Sequence, residues 1–203
     1  MSSVTDIWNL ALVMLGSSAR VTSTSDEGKA SSVFNAIYEP LRDAELAAHP
    51  WSFAIKRAAL AASATAPAYD WDVSYPLPAD YLRVVEVGEW WAFYDTDYVP
   101  RFDVEADNAT GRMAVVCNET APLNVRYVYR VTNSGLFAPL FVTALAAKLA
   151  ETGCESLTQN PQKRQLATAE YERTIAKAKR TNAIEKPPQQ FADGPWVRAM
   201  KGF

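Results

Sequence analysis

The groups in this chain that could do acid–base or nucleophilic chemistry are few and scattered. There is one histidine, His49, in the run AELAAHPWSFA that spans residues 44–54. Imidazole is the side chain best placed to move protons near neutral pH. Here it stands directly before Pro50 and Trp51. No GxSxG, P-loop, GxGxxG or HExxH pattern occurs. Acidic pairs do occur, as Asp70/Asp72 and Asp95/Asp97, and two carboxylates can divide the acid and base roles of glycoside hydrolysis. Both pairs fall in polar connections, where carboxylates are ordinarily solvated. Neither has the glycine and terminal glutamate of an EF-hand loop. Cys117 and Cys154 lack CxxC spacing, so neither a zinc site nor a disulfide framework is expected, and a reducing compartment fits. The expectation is therefore no catalytic residue, no metal and no cofactor, with the chain not an enzyme. His49 is read as part of a structural corner.

The elements around that corner follow from periodicity. Val4, Ile7, Trp8, Ala11, Met14 and Leu15 recur at helical steps, with Ser3 or Thr5 able to cap the start and Gly16 a stop. Thr24 with Glu27 has the form of a capping box for a second helix. That helix carries Ala30, Val33, Phe34, Ile37, Tyr38 and Leu41 on one side and Pro40 within it. Pro50 should end it near Ala48. Trp51 and Phe53 then supply large apolar surfaces where helix gives way to strand.

From Phe53 the pattern turns β-like, with a strand fading into a loop before Ala66. A connection rich in proline and aromatics follows, APAYDWDVSYPLPADY. The runs YLRVVEVG, EWWAFYD, YVPRFDVEAD, GRMAVVCNE and LNVRYVYRV read as an antiparallel meander of four or five strands, because their connections are too short for crossover helices. Turns are expected at Asp107–Asn108 and across residues 118–120. Leu136 returns to a helical pattern, with Phe137, Phe141, Ala144, Leu145 and Leu149 in a stripe that Gly153 is expected to interrupt. Asn160 and Pro161 read as N-cap and first residue of a last helix, seamed by Ala167, Tyr171, Ile175 and Ala178. The fold class is thus α+β. An antiparallel helical bundle is formed by 1–52 and 133–186, a β-rich lobe (53–132) is inserted in it, and an extended tail (187–203) follows.

That tail combines Pro187, Pro188 and Pro195 with Phe191, Trp196, Val197, Met200 and Phe203. So much apolar surface implies docking, on its own domain or on a partner. Of the 203 residues 49% are hydrophobic and the net charge is -3, which leaves no bulk attraction for nucleic acid. Charge is nevertheless segregated: acids outnumber bases from Asp70 to Glu119. The last helix carries Lys163, Arg164, Arg173, Lys177, Lys179 and Arg180. The N-terminus has no positive n-region before an apolar run, so no signal peptide is expected. No stretch reaches the roughly 18 apolar residues of a membrane span, and no membrane partner is expected.

Taken in order, these runs resemble the tail tubular protein A family of short-tailed phages, which belongs with the head-to-tail adaptors. The resemblance rests on Leu15–Gly16 closing the first helix, on His49–Pro50–Trp51 with Phe53–Ala54 and Lys56–Arg57, and on YPLPADYLRV. That last run matches a Tyr-x-Leu-Pro-x-Asp-x-x-Arg-Val pattern at Tyr75, Leu77, Pro78, Asp80, Arg83 and Val84. VRYVYRVTNSGLFAPLFVTALAAKLA matches the strand that leads into a long helix. The resemblance implies a structural virion protein, made in the host cytoplasm and placed at the head–tail junction. It would form a ring, commonly of twelve copies, between the portal protein and the tail nozzle or tube, around a channel through which DNA passes without specific binding. His49, Pro50, Trp51, Phe53, Tyr75, Pro78, Asp80 and Arg83 would be structural anchors. Phe191, Trp196, Val197, Met200 and Phe203 would bind the portal. Two other readings stay open: a tail-associated peptidoglycan-degrading enzyme, and a DNA-binding module using the basic last helix.

Overall fold

The computed structural model describes residues 2–88, 101–107, 111–185 and 200. Among these residues there are four helices and two small antiparallel sheets, an α+β fold. The chain divides into a helical unit, Met1–Ile55 with Val128–Glu185, and a β unit that contains Lys56–Tyr127. Among the described residues no helix is long and apolar enough to cross a membrane.

In the helical unit, α1 (Val4–Met14) starts at a capping box: Ser3 Oγ accepts from the Asp6 N–H, and Asp6 Oδ2 accepts from the Ser3 N–H. The Ser3 N–H, and then the Ser3 hydroxyl, stabilise the ionised carboxylate of Asp6 and hold its pKa below the usual range. Gly16 ends the helix in the left-handed region (φ +63°), which glycine adopts without a Cβ penalty. Lys163 donates from Nζ to the Leu15 carbonyl at 2.8 Å, a cation at the negative end of the helix. Ile7, Trp8, Ala11 and Leu12 are buried, with Trp8 against Phe34 and Tyr38.

The helix α2 (Lys29–Ala48) runs through Pro40 and stops at His49, whose φ of -145° and ψ of 142° are extended, as the following proline demands. Its start differs from expectation. The N-cap is Gly28, with no side-chain cap, so Thr24 and Glu27 form no capping box. Asp26 organises this loop instead: its Oδ2 accepts from the N–H groups of Thr22 and Ser23. The buried face also turns relative to the expected stripe, running through Ser31, Phe34, Tyr38, Arg42, Glu45 and Leu46.

The third helix, α3 (Pro139–Thr158), is the core of this unit. Phe141, Leu145, Ala146, Ala147, Leu149 and Ala150 are essentially inaccessible. Gly153 does not interrupt it. A Cβ there would lie 3.4 Å from Phe34 Cε1 and 3.6 Å from Val33 Cγ1, ordinary van der Waals distances, so the helix packs against α2 at this point. Gln159 in the left-handed region (φ 53°) and the Asn160 cap turn the chain into α4 (Pro161–Ile184). Asn160 Oδ1 accepts from the N–H of Gln162 and of Lys163, and Pro161 at the first position gives up a donor that needs no partner. The α4 seam buries Ala167, Ile175, Ala178 and, one step further, Asn182.

The strands are β1 (Ile55–Leu60), β2 (Val73–Pro76), β3 (Tyr81–Val87), β4 (Phe102–Ala106), β5 (Met113–Cys117) and β6 (Leu123–Tyr129). A single meander was expected. The strands form two three-stranded sheets instead, ordered β1-β6-β3 and β2-β5-β4. Pairing the first strand with the last closes the unit at the point where the chain enters and leaves it, and such non-local pairing leaves no local sequence signal. β5 pairs antiparallel with β2 (Tyr75 opposite Val115) and with β4 (Val104 opposite Val115). Ala114, Val115, Val116 and Cys117 are all buried, as befits a central strand covered on both faces. β6 keeps its alternation, with Leu123, Val125 and Tyr127 inside. The run EWWAFYD and Asn108 lie outside the described residues.

Candidate functional site

The residues singled out in the sequence fall into three groups. In the helical unit, His49, Pro50, Trp51 and Phe53 form the expected corner. Trp51 is 1% exposed. Its indole Nε1–H donates to the Glu45 carbonyl at 2.9 Å. Its ring stands edge-on to Phe141 (centroids 5.0 Å apart) and His49 (4.6 Å) and stacks on Phe53 (6.1 Å). Phe53 in turn meets Phe137 and Phe141. The reversal itself is a hydrogen-bonded turn, from the Trp51 N–H to the His49 carbonyl.

The His49 ring is tied to α4. Asn182 Oδ1 accepts from the Ser52 N–H at 2.8 Å, which fixes the orientation of the amide. Asn182 Nδ2 therefore faces His49 Nε2 at 3.0 Å and Pro50 O at 3.4 Å. An amide nitrogen only donates, so Nε2 accepts and the imidazole proton belongs on Nδ1. His49 is thus an acceptor that holds the corner to the last helix. Ser52 Oγ adds a bond to Glu185 Oε2 at 2.9 Å.

Sequence reasoning missed the two polar residues that complete this corner, Asn182 and Glu45. Glu45 is 7% exposed. Besides receiving Trp51 on its carbonyl, it receives the Tyr171 hydroxyl on Oε1 at 2.6 Å. The available signal was spacing: Asn182 continues the α4 seam four residues beyond Ala178, and Glu45 lies three beyond the buried Arg42.

In the β unit, Tyr75 is fully buried on β2 and donates its hydroxyl to the Glu119 carbonyl at 2.6 Å. Burial raises its pKa, so it is held as a neutral donor. Pro78 is half-buried, and its carbonyl accepts from the Tyr81 N–H at the start of β3. Arg83 is half-buried on β3.

Asp80 is the centre of this group. Its Oδ2 accepts from Lys56 Nζ at 2.6 Å and its Oδ1 from the Tyr127 hydroxyl at 3.1 Å, which ties β1, β3's entry turn and β6 together. Partial burial works against the charge, but the hydrogen bonds from Lys56 and Tyr127 outweigh it and hold the carboxyl below its ordinary value of 3.8. A depressed acid favours the folded state above 3.8, and that contribution is lost as the pH falls through the lower folded value. Asp80→Asn keeps an acceptor for Tyr127 and removes the charge facing Lys56. Both side chains are a third or more exposed, so the expected cost at neutral pH is about 0.5–1 kcal/mol. Urea unfolding of both proteins across acid pH should show the gap closing below 3.8.

The third group is the tail. Phe191, Trp196, Val197 and Phe203 lie outside the described residues, and Met200 is exposed. Among the described residues no group of three His, Cys, Asp or Glu side chains could hold a metal, and Cys117 and Cys154 are buried thiols. The two described clusters are the Trp51 corner and the Asp80 group. Each fixes a chain reversal with an aromatic ring and a buried polar contact. No protein-family model matches the chain, and no curated protein matches its sequence.

Proposed function

We propose that the chain is a structural virion protein: a ring-forming head-to-tail adaptor that joins the portal to the tail of a short-tailed phage and leaves a channel for DNA. The observation that carries this reading is the arrangement of the chain. A helical unit is assembled from its two ends, with a β-rich unit inserted between them. The runs behind the family resemblance sit at its turning points. HPWSFA leads from α2 into β1, and YPLPADYLRV runs from β2 into β3. In this reading the helical unit supplies the surface toward portal and neighbours, and the β unit faces the tail. The acids of the β unit suit a channel wall from which DNA is repelled rather than bound. The aromatic residues of the tail, led by Phe191 and Trp196, are the portal contact.

Sedimentation velocity of the purified chain, alone and with its cognate portal ring, tests this. The expected result is a large complex that saturates at an integral number of chains per portal. Deleting residues 189–203 should abolish the complex while the circular dichroism of the remaining fold is kept. No complex with a well-formed portal ring would overturn the adaptor assignment.

A further inference from the structure

The β unit carries a cleft of about 530 Å³ between the 65–71 loop and β4. Its lining includes Tyr69, Asp70, Trp71, Ser74, Asp103 and Glu105. Asp70, Asp103 and Glu105 are exposed carboxylates, and Tyr69 is 79% exposed. At the base lies Ser74, 3% exposed, whose Oγ has no hydrogen-bond partner among the described residues. Leaving a buried hydroxyl unpaired is unfavourable, and a donor entering the cleft would satisfy it. The carboxylates are not gathered closely enough to ligate a metal ion. They suit a cation on a long stem, which can reach separate carboxylates and the hydroxyl while lying on an aromatic face.

The complementary surface is on α4. Arg173, Lys177 and Arg180 are all exposed, and their spacing of four and three residues puts them in one stripe. Ala169, Ala176 and Ala183, spaced along the same side of the helix, are exposed as well, so the helix backbone can approach closely. Arg173 is engaged by Glu170 at 2.8 Å, which leaves the C-terminal pair as the projecting charge.

We propose that the cleft receives Lys177 and Arg180 of α4 from a second copy of this chain. The two patches differ, so the contact is heterologous. Such contacts repeat from copy to copy and make a ring where the rotation closes. The inference rests on the ring reading above and names the surfaces through which neighbouring copies meet.

The test is zero-length carbodiimide coupling of an equal mixture of unlabelled and ¹⁵N-labelled full-length chain, at high concentration and again with portal ring added, followed by mass spectrometry. Mixed-isotope peptides joining Lys177 to Asp70, Asp103 or Glu105 are the expected result. Both K177E/R180E and D103K/E105K alter exposed side chains. Each should weaken copy-to-copy association, measured by sedimentation, by about tenfold or more, because like charges now face each other. Mixing the two variants should restore copy-to-copy association, measured by sedimentation. Links between copies only through other surfaces, or links from the cleft to the portal instead, would overturn the proposal. So would variants that associate as the parent does. A portal complex without cleft-to-α4 links would reject this contact and leave the adaptor reading standing. Links without a portal complex would do the reverse.

Discussion

Trp51→Ala is expected to destabilise the protein by about 3–5 kcal/mol, the range for deleting a fully buried large aromatic side chain. Three losses combine. The indole leaves a cavity bounded by Phe53, His49 and Phe141, the last on α3, whose buried face has little freedom to collapse. The edge-to-face contacts with Phe141 and His49 disappear, each worth about 0.5–1.5 kcal/mol beyond area. The Glu45 carbonyl also loses the indole N–H. Trp51→Phe separates these effects: it keeps a ring and removes the donor, with an expected cost of about 1–3 kcal/mol. Urea unfolding followed by circular dichroism measures both. A loss under about 1 kcal/mol for Trp51→Ala would show that the site repacks, and that the corner is not what holds α2 to α3.

The corner also shows what was legible in the sequence. The end of α2 at Ala48, the Gly16 stop, the Ser3 cap and the Asn160–Pro161 start of α4 follow from local chemistry, and the structure has them where the residues place them. The Thr24/Glu27 box was equally local in form but lost to Asp26, whose carboxylate takes two backbone donors of the same loop. Gly153 reads as a helix break by propensity, but α3 is buried along its length and packs beside Phe34 and Val33 there, and tertiary packing outweighs the local preference. The division of the strands into two sheets was hidden for a similar reason: nothing in β1 or β6 alone says that they pair. Polar residues on apolar seams were the least visible. Asn182 and Glu45 look like interruptions of a stripe, yet they form the hydrogen bonds that fix the corner. The aromatic residues of the tail lie outside the described residues, so that part of the candidate site stands on composition alone.

Tyr171→Phe is the second substitution with a large expected effect, about 1.5–3 kcal/mol, the range for a hydrogen bond to a charged partner. The hydroxyl donates to Glu45 Oε1 at 2.6 Å, and Glu45 lies in the buried face of α2. Removing the donor leaves that carboxylate short of a partner in a place water reaches poorly. The ring itself stays, so the Lys148 ammonium 4.5 Å above it keeps its aromatic contact, and the change reports mainly on the hydroxyl. The pH dependence gives a signature that packing loss would not. Burial first, and then the hydrogen bond to the Glu45 carboxylate, raise the Tyr171 pKa well above its ordinary value of 10.0. The folded state therefore holds this proton more tightly than the unfolded chain. The resulting stability is complete below pH 10 and is lost as the pH rises above 10 toward the folded value, because only the unfolded state then releases the proton. The difference between the parent and Tyr171→Phe should thus be constant through neutral pH and shrink in alkali. Glu45→Gln should weaken that alkaline dependence while retaining an acceptor for the hydroxyl. A gap that stays unchanged above pH 10 would mean that the phenol does not depend on Glu45. The link from the end of α2 to the end of α4 would then rest on the hydrogen bonds of Asn182 and of Ser52 with Glu185.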